Sequence, residues 1–208
     1  MASRQTETRP ERPPDLREAC VAEALAIIAE EGVEKLSLRE VSRRLGVSHQ
    51  APYKHFESRD HILAEVIARA YDDFARHLEA RPPATEPFAD LEAMGRAYMD
   101  YAVRHPLHYR LMFGTPLPDP SRHPAMMEKA RHAFDLLRDR LASMDLRPVH
   151  DGTAPPFDDA LFIWSCLHGL AGILQSDALC GLDPAAPDPA RVIGHVMARL
   201  GLALRPER

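Results

Sequence analysis

An all-α fold follows from three features of this 208-residue chain. Apolar residues recur three and four apart through nearly every segment, the spacing that lines one face of a helix. No stretch alternates apolar and polar residues between hairpin turns, so no strand is expected. Proline clusters punctuate the periodic segments, and proline breaks a helix interior. The pattern predicts about nine helices: three at the N-terminus, a long connecting fourth, and five in the remainder.

The elements follow in order. Residues 1–14 carry Arg4, Glu7, Arg9, Glu11 and Arg12 with three prolines and no apolar face, and read as a disordered arm. A first helix runs from about Leu16 to Glu31, with Cys20, Val21, Ala24, Leu25 and Ile28 on one face and Gly32 ending it. Ser37 and Glu40 form a capping box that starts a second helix, whose inner stripe is Val41 and Leu45. Gly46 can adopt the positive φ that stops it sharply. Val47 turns inward, and Ser48 can cap a third helix carrying Ala51 to Phe56. Ser58 caps the connecting helix, which runs to about Ala80 with Leu63, Val66, Ile67, Ala70, Tyr71, Phe74 and Leu78 in line.

Beyond Pro87 the same reasoning gives a helix through Leu91, Met94, Tyr98 and Tyr101, then a short one from Leu107 to Phe113. Met126, Ala130, Phe134, Leu137 and Leu141 mark the next. Phe157–Leu179 is the most apolar, and Ala190–Leu204 is the last. The domains expected are 15–60 and 61–208.

Two short helices about Gly46 make a helix-turn-helix, whose second helix enters the DNA major groove. The charge agrees. From Ser37 to Arg59 there are five basic residues (Arg39, Arg43, Arg44, Lys54, Arg59) against Glu40 and Glu57, a local +3 in a chain of net −5. Phosphate neutralisation supplies most non-specific DNA affinity, so a local basic patch is what binding requires. The competing reading is a solvated helical hairpin with ordinary surface arginines.

The run Leu-Arg-Glu-Val-Ser-Arg-Arg-Leu-Gly-Val-Ser-His-Gln-Ala-Pro-Tyr-Lys-His-Phe-Glu-Ser-Arg-Asp, residues 38–60, closely resembles the DNA-binding domain of the tetracycline-repressor (TetR) family. The likeness extends from about Asp15 to Leu63, under a third of the chain. Ser42 departs from the family's usual Ala, and Arg59 from its commoner Lys; each substitution keeps the size or charge required. The resemblance implies that Ser48, Tyr53, Lys54, His55 and Arg59 hold phosphates. Ser37 and Arg39 lie at the start of the first motif helix, where the helix dipole favours an anion. His49, Gln50 and Ala51, at the exposed start of the recognition helix, are the expected base readers: Gln can pair an adenine edge and Ala can touch a thymine methyl. Arg4, Arg9 and Arg12 are either a minor-groove arm or a solvated tail.

Composition bounds the rest. Three cysteines, Cys20, Cys166 and Cys180, form no C-x-x-C pair and are too few for a disulfide scaffold, so a reduced, cytoplasmic compartment is expected. The N-terminus is neither signal peptide nor anchor. The longest apolar run, Ala160 to Leu174, is shorter than the roughly 20 residues of a membrane span and is expected to be a buried helix.

After Asp60 the charge is −4 (16 basic, 20 acidic), so this part is no second DNA surface. Phe157–Leu179 mixes small residues with large ones, and Ala190–Leu204 carries Val192, Ile193, Val196, Met197, Leu200 and Leu204 with Gly194 and Gly201. Paired across a two-fold axis they would make a four-helix homodimer interface; otherwise they are internal core helices. Trp164-Ser-Cys-Leu-His168-Gly169 and His105–Phe113 resemble one TetR group with a Trp…His-Gly signature, which implies a pocket for a small molecule. The pocket candidates are Met94, Tyr98, Tyr101, Met112, Phe113, Phe134, Trp164 and His168, all of which also suit plain core packing.

No catalytic constellation emerges: Ser165, Cys166 and His168 cannot all face one site on a single helix. Nor do His105, His108, His123, His132, His150 and His195 form a ligand cluster legible in sequence. No cofactor, metal or membrane partner is expected. The sequence therefore predicts a DNA-binding regulator, a homodimeric repressor on a palindromic operator, released by a small, largely apolar effector. The alternatives are a regulator without a ligand, an activator, or an enzyme carrying a DNA-binding head.

Overall fold

A computed structural model describes residues 15–82, 84–114, 116–147, 156–176 and 188–206. Eight α-helices form among them and no strand: α1 (Leu16–Glu31), α2 (Leu38–Arg44), α3 (Arg59–Glu79), α4 (Pro87–Arg104), α5 (Pro106–Phe113), α6 (Pro124–Ala142), α7 (Pro156–Leu174) and α8 (Pro189–Leu204). Three single 3₁₀ turns join them, at Val33–Lys35, Pro52–Lys54 and Pro120–Arg122. Five of the helices begin at proline. Their N-termini lie one or more residues earlier than the apolar spacing alone suggests, because proline at the first helical position has no N–H to leave unbonded and a φ already set for the helix. The His150 and Cys180 positions, the N-terminal arm and the expected extension of α7 to Leu179 lie outside the described residues.

The chain divides into two compact units, one reaching Val66 and the other beginning at Ile67, a few residues beyond the expected boundary and inside α3. In the first unit Asp15 caps α1, accepting the Arg17 amide at 3.0 Å. Gly32 then ends the helix at φ 92°. Ile27 is buried beside Cys20, Val21, Ala24 and Ile28, whereas Leu25 is half-exposed. Leu36, Leu38, Val41, Phe56, Ile62 and Leu63 complete this core. Ser42 is buried too, and its hydroxyl is satisfied by the Arg39 carbonyl at 2.8 Å, which keeps a small residue at the helix crossing without an orphaned polar atom.

The second unit packs α6 on α7 and sets α4 against both α7 and α8. Gly95 permits the α4–α8 approach: a Cβ there would come within 2.5 Å of the Met197 thioether. Asp90 is buried, and Arg81 and Arg140 each reach the same carboxylate oxygen at 2.9 Å. Burial alone would raise this carboxyl, but the two guanidiniums outweigh it and hold it below its ordinary value.

The expectation of a buried α7 is corrected. Ala160, Ile163, Leu167, Leu170 and Ala171 face inward. Leu161, Phe162, Ser165, Gly169, Gly172 and Ile173 form a contiguous exposed face on the other side. By length and composition alone α7 also passes for a membrane-crossing helix. In α8, Met197, Leu200 and Leu204 are buried against the unit's own core, while Val192, Ile193 and Val196 remain half-exposed.

Candidate nucleic-acid interface and interior cavity

Ser37 Oγ accepts the Glu40 amide at 3.1 Å and starts α2. The reciprocal half of the capping box does not form, because the Glu40 carboxylate is taken by Arg43 and Arg44. Gly46, at φ 64°, turns the chain as expected. The element that follows is shorter than a recognition helix. Residues 49–51 form a turn leading into the Pro52–Lys54 3₁₀ segment, with Ala51, Lys54 and His55 amides donating three residues back, to Ser48, Ala51 and Pro52. Pro52 has no N–H to give to Ser48, so the four-back bond that would begin an α-helix there is missing.

Pro52 and Phe56 are buried and anchor this turn from beneath. Above them Ser48, His49, Gln50, Tyr53 and Lys54 are exposed together, with the His49 and Tyr53 rings 5.6 Å apart. Arg39 is also exposed, while Ala51 and His55 are half-buried.

Three of the expected basic groups are otherwise engaged, Arg43 by both oxygens of the Glu40 carboxylate. Arg44 is enclosed by carboxylates: Glu30 at 2.6 Å, Glu40 at 3.1 Å, Glu23 at 3.5 Å, and Glu31. The hydrogen bonds it donates to Glu30 and then Glu40 push its pKa up, while Arg43 and then Arg44 hold the Glu40 carboxyl down at about 2. Arg44 therefore ties α1 to α2 and adds little to a phosphate-binding patch. Arg59 donates to the Val33 carbonyl at 2.7 Å and the Leu36 carbonyl at 3.1 Å, and pairs with Asp60 at 3.2 Å. It positions the start of α3, with only part of its fork left for an anion. Of the basic residues counted in sequence, Arg39 and Lys54 are exposed and pair with no described residue.

The second unit holds a cavity of about 370 Å³. Met94, Tyr98, Phe113, Phe134 and Trp164, five of the eight residues proposed from sequence, line it. Three do not. Tyr101 is core, donating to the Ala70 carbonyl at 3.2 Å, and Met112 is core, its carbonyl accepting from Tyr71 at 2.9 Å. His168 faces a separate open recess beside Val103, Arg110 and Gln175.

The structure adds Tyr71, Phe74 and Leu78 from α3, Met127, Ala130, Arg131 and Leu137 from α6, and Ile163 and Leu167 from α7. The α3 residues were visible as an apolar stripe, but nothing in the spacing separates a stripe that meets a void from one that meets another side chain. Edge-on ring contacts set the walls: Phe74 to Tyr98 at 5.4 Å and Phe134 to Trp164 at 6.0 Å.

A polar relay leads out of the cavity. The Trp164 indole lies at the cavity end, where it works against the rise in the Tyr98 pKa. Tyr98 meets the Tyr109 hydroxyl at 2.8 Å, and Tyr109 meets His168 Nδ1 at 2.7 Å. Tyr98 and His168 are thus joined through Tyr109 although they face different spaces. Burial drives the Tyr98 pKa far above that of an ordinary phenol and lifts Tyr71 and Tyr109 to about 12, so all three stay neutral at physiological pH.

Among the described residues no three His, Cys, Asp or Glu side chains converge on a metal-sized site. His105 stacks on His108 at 6.0 Å and lies tilted against Tyr101 at 4.6 Å, an aromatic cluster.

Comparison with known proteins bears on both units. A model of the bacterial regulatory proteins of the tetR family matches residues 21–66, and one of the tetracyclin repressor-like C-terminal domain matches residues 91–200. The chain belongs to the tetracycline-repressor family. This TetR-family chain is 29% identical over 137 residues to the HTH-type transcriptional regulator Mb1846 of Mycobacterium bovis, a match covering 62% of this chain and 58% of that protein. It is 28% identical over 172 residues to the HTH-type transcriptional regulator Rv0681 of Mycobacterium tuberculosis, covering 82% and 75%. A solved structure from Rhodococcus sp. RHA1, of unknown function, superposes with a TM-score of 0.74 at 25% identity, covering 95% of this chain and 99% of that one. The family models and both named relatives are regulators rather than enzymes.

Proposed function

We propose that this protein is a homodimeric, ligand-responsive transcriptional repressor. Each head reads one half-site of a near-palindromic operator, with half-sites about 34–36 Å apart or a multiple of that. His49 and Gln50 meet base edges, and Tyr53, Lys54 and Arg39 hold phosphates. The observation that carries the reading is α3. It begins among the buried Ile62 and Leu63 of the first unit and supplies Tyr71, Phe74 and Leu78 to the cavity of the second. A ligand that displaces Phe74 acts on the helix that roots the head. Release of DNA requires the ligand to favour the non-operator state, since equal affinity for both states shifts nothing.

The dimer reading rests on α7. Its exposed face carries Phe162 and Ile173 on either side of Gly169 and Gly172, where an added Cβ would meet no atom of the described residues. A large apolar side chain beside bare backbone suits the close approach of a second helix. Selection of bound DNA from a randomised pool tests the function. A two-fold symmetric consensus is the expected result; an unenriched pool contradicts it.

A further inference from the structure

We infer that the cavity takes an amphipathic anion, a molecule with an apolar body and one acidic head, and that Arg131 receives the head. This rests on the effector reading above and specifies its ligand class. The interior offers little to a polar molecule. Tyr71 spends its hydroxyl proton on the Met112 carbonyl. Tyr98 is occupied by the Tyr109 hydroxyl. The other interior walls are aliphatic, thioether or phenyl surface, so the buried part of a ligand must be apolar.

Among the described residues, Arg131 is the one charged side chain in that lining. It lies on α6 in the row Met127, Ala130, Arg131, Phe134 and Leu137, whose spacing of three and four turns one face to the cavity. The other cations of α6 are matched: Lys129 pairs with Asp72 at 2.5 Å, His132 with Glu79 at 3.3 Å, Arg138 with Asp135 at 2.8 Å and Arg140 with Asp90 at 2.9 Å. Arg131 makes no ion pair or hydrogen bond with any described residue. It is also exposed, so its stem covers the apolar wall while the guanidinium stays at the solvent edge. An acidic head placed there keeps part of its hydration and gains a bidentate partner, without the cost of a buried ion pair. A carboxylate matches that planar fork best.

Trp164 is the only tryptophan in the chain and lies in the cavity wall, so its fluorescence reads occupancy directly. The full chain is titrated with decanoate, decanol and decylamine, each below its micelle concentration. Decanoate should bind roughly five- to tenfold tighter than decanol, with decylamine weakest, and added salt should narrow the gap. Arg131→Gln should bring decanoate down to the level of decanol while decanol itself is unchanged, and Arg131→Lys should keep part of the preference. Melting curves establish that the variants are folded.

Equal binding of decanoate and decanol, a preference that survives Arg131→Gln, or silence to all three probes overturns the inference. If decanoate binds through Arg131 but operator DNA stays bound, the ligand class stands and the effector reading fails.

Discussion

Lys54 and Gln50 are four residues apart on one exposed edge, yet they are assigned different work. Phosphate contacts are blind to sequence and salt-dependent, while base contacts discriminate. Lys54→Ala and Tyr53→Ala are expected to weaken binding to every DNA sequence about equally, with Lys54→Ala lowering the salt slope by about one. Gln50→Ala should relax one base position by about 1–3 kcal/mol. Randomised-site selection on the three variants checks this, and an altered consensus for Lys54→Ala alone would reverse the assignment.

Glu40 makes a second residue-level prediction. Its folded pKa, about 2, lies below the 4.5 of an unperturbed glutamate. The Arg43 and Arg44 pairs therefore add stability above about pH 4.5 and lose it as pH falls toward 2. Acid unfolding of Glu40→Gln and the parent should converge in that window; parallel curves down to pH 2 would contradict it. Trp164 makes a third. Trp164→Leu keeps apolar bulk but removes the flat face and the indole N–H, so operator affinity should survive while the response to a releasing ligand weakens. Equal release of both proteins would reduce Trp164 to core packing.

Among elements, α7 and the turn at Pro52 show where sequence reasoning holds and where it stops. The caps at Ser37 and Ser58 and the stop at Gly46 were legible because each depends on one residue and its immediate backbone. The shortening of the recognition element was signalled by Pro52, but the family pattern of the surrounding residues masked it. The fate of Arg44 and Arg59 depended on carbonyls and carboxylates brought in from α1 and the Val33–Lys35 turn, which no local count of charge contains. In α8 the same apolar period marked Leu200, now buried, and the half-exposed Val192 and Val196, so periodicity alone could not tell core from interface.

The structure therefore moves the interface test to α7. Phe162→Asp, at a side chain 46% exposed, should leave a folded monomer that no longer retards a palindromic operator. Ile163→Asp, its buried neighbour, should cost on the order of 3–5 kcal/mol and unfold the second unit instead. Sedimentation and melting separate the outcomes. A Phe162→Asp variant that remains dimeric would remove α7 from the interface.

For the whole molecule, the helical class and the DNA-binding head were readable because each rests on repeated local signals, whereas only Met94, Tyr98, Phe113, Phe134 and Trp164 of the cavity wall were named from sequence. The void itself was not. Whether Tyr98 and Tyr101, three apart on α4, meet a cavity or a neighbouring helix depends on how α3 and α5 close over them. Tyr98 lines the space, and Tyr101 reaches the Ala70 carbonyl.

The central claim is a symmetric pair of heads governed by an occupied cavity. It is tested most directly by measuring chains bound per selected DNA site, with and without a ligand that changes Trp164 fluorescence. The account predicts two chains per palindromic site and their loss as the fluorescence change saturates. One chain per site, or two chains that stay bound at full cavity occupancy, would contradict it.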